Sequence, residues 1–288
     1  MVKFLFSLFS QLPLVVLHAV GAALGWLTYG LSGVYRKRFR ANVAQAGYSL
    51  AQVGAAAAQA GKMAAELPRL WLGAPVPMRF EGAELVDAAH AAGKGLLLLT
   101  PHLGCFEVTA QAYAQCYLPQ GKPITVLFRP PRKAWLDAVV SQSRDRPGLR
   151  AVPTTLAGVK AMLKALKSGQ TVGLLPDQVP PQGLGVWVPF FGRDAYTMTL
   201  PARLQQMTGA SVLLTWGERL PGGQGYCVHY SPLPQALSDN LQAATAQINQ
   251  AMQELIARCP QQYLWGYARY KQPRQDGPAT APAQGREA

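Results

Sequence analysis

Apolar and polar positions divide the chain into three regimes. Residues 4–35 carry no Asp, Glu, Lys or Arg, a stretch longer than the roughly 20 residues that cross a bilayer's hydrocarbon core. Residues 40–47 and the alanine-rich run 50–67 read as helix, closed near Pro68, with Leu67, Leu70 and Trp71 as the apolar end. From Arg79 onward, short apolar runs alternate with amphipathic stretches. This pattern predicts strands at 95–100, 124–128, 151–153, 171–175, 210–216 and 225–230. It predicts helices at 82–92, 104–117, 132–146, 155–168, 199–208 and 238–258. The alternation implies an α/β fold, a mostly parallel mixed sheet covered by helices, behind an N-terminal hydrophobic anchor helix. In such a sheet functional groups gather at the C-terminal ends of strands, where His102, Arg129 and Asp177 all fall.

The run Leu96-Leu97-Leu98-Leu99-Thr100-Pro101-His102-Leu103-Gly104-Cys105-Phe106-Glu107 carries the most chemistry. Four leucines end at Thr-Pro, because Pro101 has no N–H for a strand ladder and disfavours helix at Thr100. His102 therefore sits at a strand's C-terminal edge and Glu107 in the first turn of the following helix. Five positions along one continuous helix would point the two side chains about 140° apart. A loop-borne histidine folding back over the helix start reaches the carboxylate, which is the arrangement of a general base held in one tautomer.

His102-x4-Glu107 after an apolar strand resembles the H-x4-D/E signature of the glycerolipid and lysophospholipid acyltransferase superfamily, and its context resembles the bacterial lipid A late-acyltransferase branch. Further blocks follow in the family's order. Val126-Leu127-Phe128-Arg129-Pro130 is similar to its strand ending in an arginine, and Gly173-Leu174-Leu175-Pro176-Asp177-Gln178 to its I-L-x-D-Q block. Val188-Pro189-Phe190-Phe191-Gly192-Arg193 resembles its P-F-F-G block, and Gln262-Tyr263-Leu264-Trp265 with Arg269 its closing segment. The resemblance runs from about Arg36 to Lys271. Two positions depart from it: Cys105-Phe106 stands where the branch has Asn-Trp, and Tyr267 where it has a histidine.

The resemblance implies acyl transfer from an activated thioester to a lipid hydroxyl. His102 would be the base, oriented by Glu107, with Arg129, Asp177, Phe190, Gly192 and Arg193 toward substrate. Backbone amides after His102 or the Arg129 guanidinium are the candidate oxyanion donors. The expected donor is acyl carrier protein or acyl-CoA, and the expected acceptor is an anionic lipid, a lipid A precursor before a lysophospholipid or other glycolipid. No cofactor is expected. A thioesterase using the same histidine is an alternative, as is a membrane lipid-binding protein without activity; no G-x-S-x-G elbow occurs to suggest a serine hydrolase.

Charge sharpens the picture. Lys and Arg number 27 against 14 Asp and Glu, a net +13. That excess suits anionic membrane and an acidic carrier protein better than nucleic acid, for which no binding motif is present. Lys160, Lys164 and Lys167 recur at helical spacing as one basic face. The four cysteines form no C-x-x-C pair, and Cys105 reads as a small core residue rather than a nucleophile. His18, His90 and His229 have no evident ligand cluster around them in the sequence, so no metal site is expected. Arg36-Lys37-Arg38 directly after the apolar stretch favours a cytoplasmic start to the enzyme domain. The expected division is an anchor at 1–35, an acyltransferase domain at 36–275 facing the cytoplasm from the inner membrane, and a disordered tail at 276–288.

Overall fold

A computed structural model describes residues 2–128 and 146–274. Their centre is a seven-stranded sheet. In chain order the strands are β1 (Met78–Glu81), β2 (Leu96–Leu99), β3 (Ile124–Phe128), β4 (Leu149–Pro153), β5 (Thr171–Leu174), β8 (Ser211–Arg219) and β9 (Tyr226–Pro232). Across the sheet the order is β1-β9-β8-β2-β5-β3-β4, and β6 (Gly185–Phe190) and β7 (Arg193–Met198) form a separate hairpin. The strands from β8 through β4 run parallel. Only six residues separate β8 from β9, too few for a crossover, so these two pair antiparallel.

The mostly parallel mixed sheet expected from the alternation is therefore present. β2 is buried at all four positions, as a strand covered on both faces must be. One apolar cluster, with Val108, Ala112 and Tyr113, lies on the face covered by helix Phe106–Tyr117. The other, with Ile248, Met252 and Leu255 of helix Leu241–Arg258, fills the opposite face. Two elements escaped the sequence reading. β1 is a short edge strand. In the hairpin, Pro189 interrupts the alternation, and Phe191 (φ 49°) and Gly192 (φ 73°) form its two-residue turn, the positive-φ pair that a tight hairpin requires. The helix expected at 132–146 falls almost wholly outside the described residues, and 50–67 is broken into Leu50–Val53 and Ala56–Ala65 before Leu67–Leu72.

The apolar N-terminal stretch forms helices Val2–Ser10 and Leu14–Leu31, the second long and apolar enough to cross a membrane. One face of Leu14–Leu31 packs on Ala56–Ala65 at backbone contact: a Cβ on Gly25 would lie 2.2 Å from the Ala57 carbonyl oxygen. Leu17 is fully buried there, whereas Val16, Val20, Leu24, Leu27 and Leu31 are exposed.

Beneath this helical layer Glu66 is fully buried. It accepts two hydrogen bonds from Arg219 (2.7 and 2.8 Å) and one from Tyr226 (2.9 Å), and His18 Nε2 lies 3.1 Å away. Burial alone would raise the Glu66 carboxyl, but the Arg219 guanidinium outweighs it and holds the group at about 2. Because the folded value lies below the ordinary value of 4.5, the pair's stabilisation is complete above that value and lost as pH falls toward 2. We expect Arg219→Ala to lower stability by about 3–5 kcal/mol, since it strands a buried carboxylate. Denaturant melts should show the gap between wild type and Glu66→Gln narrowing as pH falls from 4.5 toward 2. A gap independent of pH in that window would refute the assignment.

Candidate active site

The register of the two central strands brings the site together. β2 and β5 are parallel neighbours with Leu99 opposite Leu174. Three residues beyond each stand His102 and Asp177. His102 Nδ1 is 2.7 Å from Asp177 Oδ1, and the His102 backbone N–H donates to Asp177 Oδ2 at 2.8 Å. Asp177 is 2% exposed, and Tyr263 donates a further hydrogen bond to it at 3.3 Å. Burial would raise the Asp177 carboxyl, but the His102 ring and its hydrogen bonds outweigh this and keep it below the usual carboxylate range.

A neutral ring that donates from Nδ1 presents a lone pair at Nε2. Gln178 Nε2 lies 2.9 Å from that nitrogen, so its amide is the donor. The ring also meets the edge of Phe106 at 4.7 Å between centroids.

The loop carrying His102 is clamped from below. The amides of Leu103, Gly104 and Cys105 donate to the carbonyls of Pro101, Gln262 and Gly217, and Leu264 donates to the His102 carbonyl. Gly104 (φ 58°) passes so close to β8 that a Cβ would meet the Gly217 oxygen at 2.0 Å. Arg219 also donates to the Gly104 carbonyl at 3.1 Å. These bonds withdraw the amides proposed as oxyanion donors: those of residues 103–105 are spent within the fold.

Beside the histidine opens a pocket of about 340 Å³ between the sheet and helix Phe106–Tyr117. Its walls are largely apolar, including Leu98, Ile124, Val126, Phe128 and Leu149, with His102, Glu107 and Gln178 as polar groups. The positive end of the helix dipole, at Phe106 and Glu107, faces the same space.

The sequence-derived residues distribute unevenly. His102 and Asp177 meet directly. Glu107 is on the pocket wall, where Trp71 Nε1 lies 3.5 Å from it; the carboxylate that accepts from the ring is Asp177 in place of the expected Glu107, because the β2–β5 register delivers it to Nδ1. Arg129 lies outside the described residues. Phe190, Gly192 and Arg193 belong to the hairpin and are absent from the pocket wall: Phe190 is buried under the Arg269 guanidinium and Arg193 stacks over Tyr270.

Gln178, Tyr263, Arg219 and Glu66 were not singled out. Gln178 was legible as the neighbour of Asp177, but the other three reach the site through contacts far apart in sequence. His18 and His229 have carboxylate partners after all, Glu66 for the first and Glu81 and Glu218 for the second.

The α/β sheet thus sets a histidine–aspartate pair beside a largely apolar pocket at the strands' C-terminal edge, where α/β folds place their sites. The family model for bacterial lipid A biosynthesis acyltransferases matches residues 1–272, and the chain belongs to that family. It is 27% identical over 192 residues to the lipid A biosynthesis lauroyltransferase of Escherichia coli K12, covering 66% of this chain and 60% of that protein. To the palmitoleoyltransferase of the same organism it is 24% identical over the same shares. To a lipid A biosynthesis acyltransferase of Haemophilus influenzae it is 26% identical over 188 residues, 65% of this chain and 57% of the relative. The matched region thus spans about 60% of these relatives' length.

Cys105, three residues from His102 in sequence, is 1% exposed, and burial pushes its thiol well above the ordinary value. We expect iodoacetamide to alkylate exposed Cys116 in the native protein and to leave Cys105 unmodified, as read by peptide mass spectrometry. Rapid native alkylation of Cys105 would overturn its assignment as an inert core thiol.

Proposed function

We propose that this chain is an O-acyltransferase that moves a fatty acyl chain from an acyl thioester to a hydroxyl of a lipid A precursor. The observation that carries the reading is the His102–Asp177 pair opening on an apolar pocket in a member of this family. The acceptor hydroxyl displaces the Gln178 amide from Nε2 and gives its proton to that nitrogen as its oxygen attacks the thioester carbonyl. Asp177 keeps the opposite nitrogen protonated and stabilises the imidazolium that forms. The tetrahedral intermediate then collapses, and the thiolate leaves with a proton returned from Nε2. The donor is already activated, so the transfer is direct.

The acyl chain occupies the pocket walled by Ile124, Val126 and Leu149. Glu107 acts from the pocket wall on the substrate, and the dipole of its helix together with Arg129 supports the oxyanion. Arg193, on the surface of the hairpin, and Arg129 are proposed contacts for lipid phosphate. Acyl carrier protein is the proposed donor over acyl-CoA: exposed Lys160, Lys164 and Lys167 form a basic face on the helix that follows the pocket residue Thr154.

The reaction is tested by offering both thioesters to purified protein with a panel of lipid hydroxyl acceptors and identifying products by mass spectrometry. Hydrolysis without transfer would favour a thioesterase, and no turnover a binding protein. In the same assay His102→Ala should abolish transfer, and Asp177→Asn should lower kcat by about 10²–10⁴-fold. Glu107→Gln should have a smaller effect, expressed mainly in KM. If Glu107→Gln carries the large kcat loss and Asp177→Asn is mild, the orienting carboxylate is Glu107.

The protein is proposed to sit on the cytoplasmic side of the inner membrane. Helix Leu14–Leu31 has one face fixed to the enzyme domain, so its exposed Leu24, Leu27 and Leu31 enter a single leaflet, with Arg36-Lys37-Arg38 against anionic headgroups. In vesicle flotation, full-length protein should stay bound at high salt. Leu24→Glu with Leu27→Glu should convert this to binding that salt releases. Release of the unsubstituted protein by salt alone would refute apolar insertion.

A further inference from the structure

At the far side of the sheet from the pocket, three strands assemble a second group of chemically capable side chains. Cys227 and His229 are two apart on β9 and so share one face. Register sets Glu81 of β1 opposite His229 and Glu218 of β8 opposite Cys227. The Glu81 carboxylate, the Cys227 thiol and a nitrogen of His229 have ligand atoms all within 4.8 Å of one another. His229 Nδ1 lies 2.9 Å from Glu81 and Nε2 lies 3.0 Å from Glu218. The ring also stacks on Trp216, with centroids 4.6 Å apart and planes 11° from parallel.

We propose that Glu81, Cys227 and His229 form a binding site for a divalent, thiophilic cation of the zinc type. The donor set is thiolate, imidazole and carboxylate, which suits borderline-soft Zn²⁺; calcium and magnesium take all-oxygen shells. Bonds of ~2.0–2.3 Å in tetrahedral geometry place ligand atoms about 3.3–3.8 Å apart. Glu81 therefore has only to draw back slightly from the ring, and its side chain is 68% exposed and free to do so.

Glu218 supplies what distinguishes a built site from a chance cluster. A carboxylate on the nitrogen that does not bind metal fixes the histidine tautomer and aims the other nitrogen at the ion, while Trp216 holds the ring plane. The two carboxylates also set up a negative field that a dication neutralises, and a fourth position stays open to water. The site faces the helix Leu241–Arg258 side of the sheet, away from the His102 pocket, and joins the four-residue edge strand β1 to β9. Its effect is accordingly a clip on the sheet edge, separate from acyl transfer.

The test is titration of the chelator-treated full-length protein with cobalt(II), a spectroscopic stand-in for zinc. One equivalent should produce a sulfur-to-cobalt charge-transfer absorption that zinc(II) abolishes by competition. Cys227→Ser should remove the band, and Cys116→Ser should leave it intact. Glu218→Gln should weaken affinity by about 10–100-fold, the usual effect of losing a carboxylate behind a ligating histidine. Glu81→Gln, at an exposed position that tolerates change, should weaken it as well. Acyl transfer by each variant should equal that of wild type, which also certifies folding. Absence of the band in wild type, its persistence in Cys227→Ser or its loss in Cys116→Ser would each overturn the proposal.

Discussion

The buried guanidinium of Arg219 is the point through which the layers of this protein are joined. It bonds Glu66 twice, Gln59 once and the Gly104 carbonyl once. Its own backbone exchanges two hydrogen bonds with the Gln262 side chain. One residue thus ties the N-terminal helical layer, the long strand β8, the C-terminal segment and the loop that carries His102. Taking both charges out of water is costly, and the cost is offset because every strong donor and acceptor of the pair finds a partner. The bond to the Gly104 carbonyl ties the position of the loop to this guanidinium.

That position transmits to the chemistry. His102 is held by its amide, its carbonyl and both ring nitrogens, and Asp177 is positioned by strand register rather than by a flexible side chain reaching across a cleft. In the proposed role of base, a side chain fixed this way loses little entropy when substrate arrives. The helical layer that supplies Glu66 and Gln59 is the same layer whose outer face is apolar, so Arg219 bonds both the layer proposed to meet the membrane and the loop that carries His102.

The sheet was legible in the sequence because buried parallel strands are apolar runs, uninterrupted in Leu96–Leu99 and broken only by Thr125 in Ile124–Phe128, and the helices between them keep an amphipathic period. The hairpin was not, since Pro189 masks its alternation and its turn uses a phenylalanine in the left-handed region. His102 and Asp177 could both be singled out from local context, but their pairing could not. Sequence proximity favoured Glu107, five residues away, over a carboxylate 75 positions distant. Only the strand order, with β5 beside β2 despite two intervening strands in the chain, makes the remote residue the neighbour. The same blindness applied to His229, whose two carboxylates come from different strands.

The hydrogen bond from Gln178 to His102 Nε2 has a mechanistic corollary. That bond occupies the lone pair of Nε2, so the nitrogen is satisfied within the fold. On the proposed mechanism an incoming hydroxyl replaces that amide at little net cost, because one neutral hydrogen bond substitutes for another. Water can make the same exchange, but it lacks the apolar body by which a lipid acceptor, on the proposed reading, is held at the site. Selection of a lipid hydroxyl over water would then rest, for the proposed reaction, on the residence of the whole acceptor at the site, and less on the chemistry of the oxygen. On the proposed reaction a thioester bound without acceptor lies beside a capped base, which limits wasteful hydrolysis.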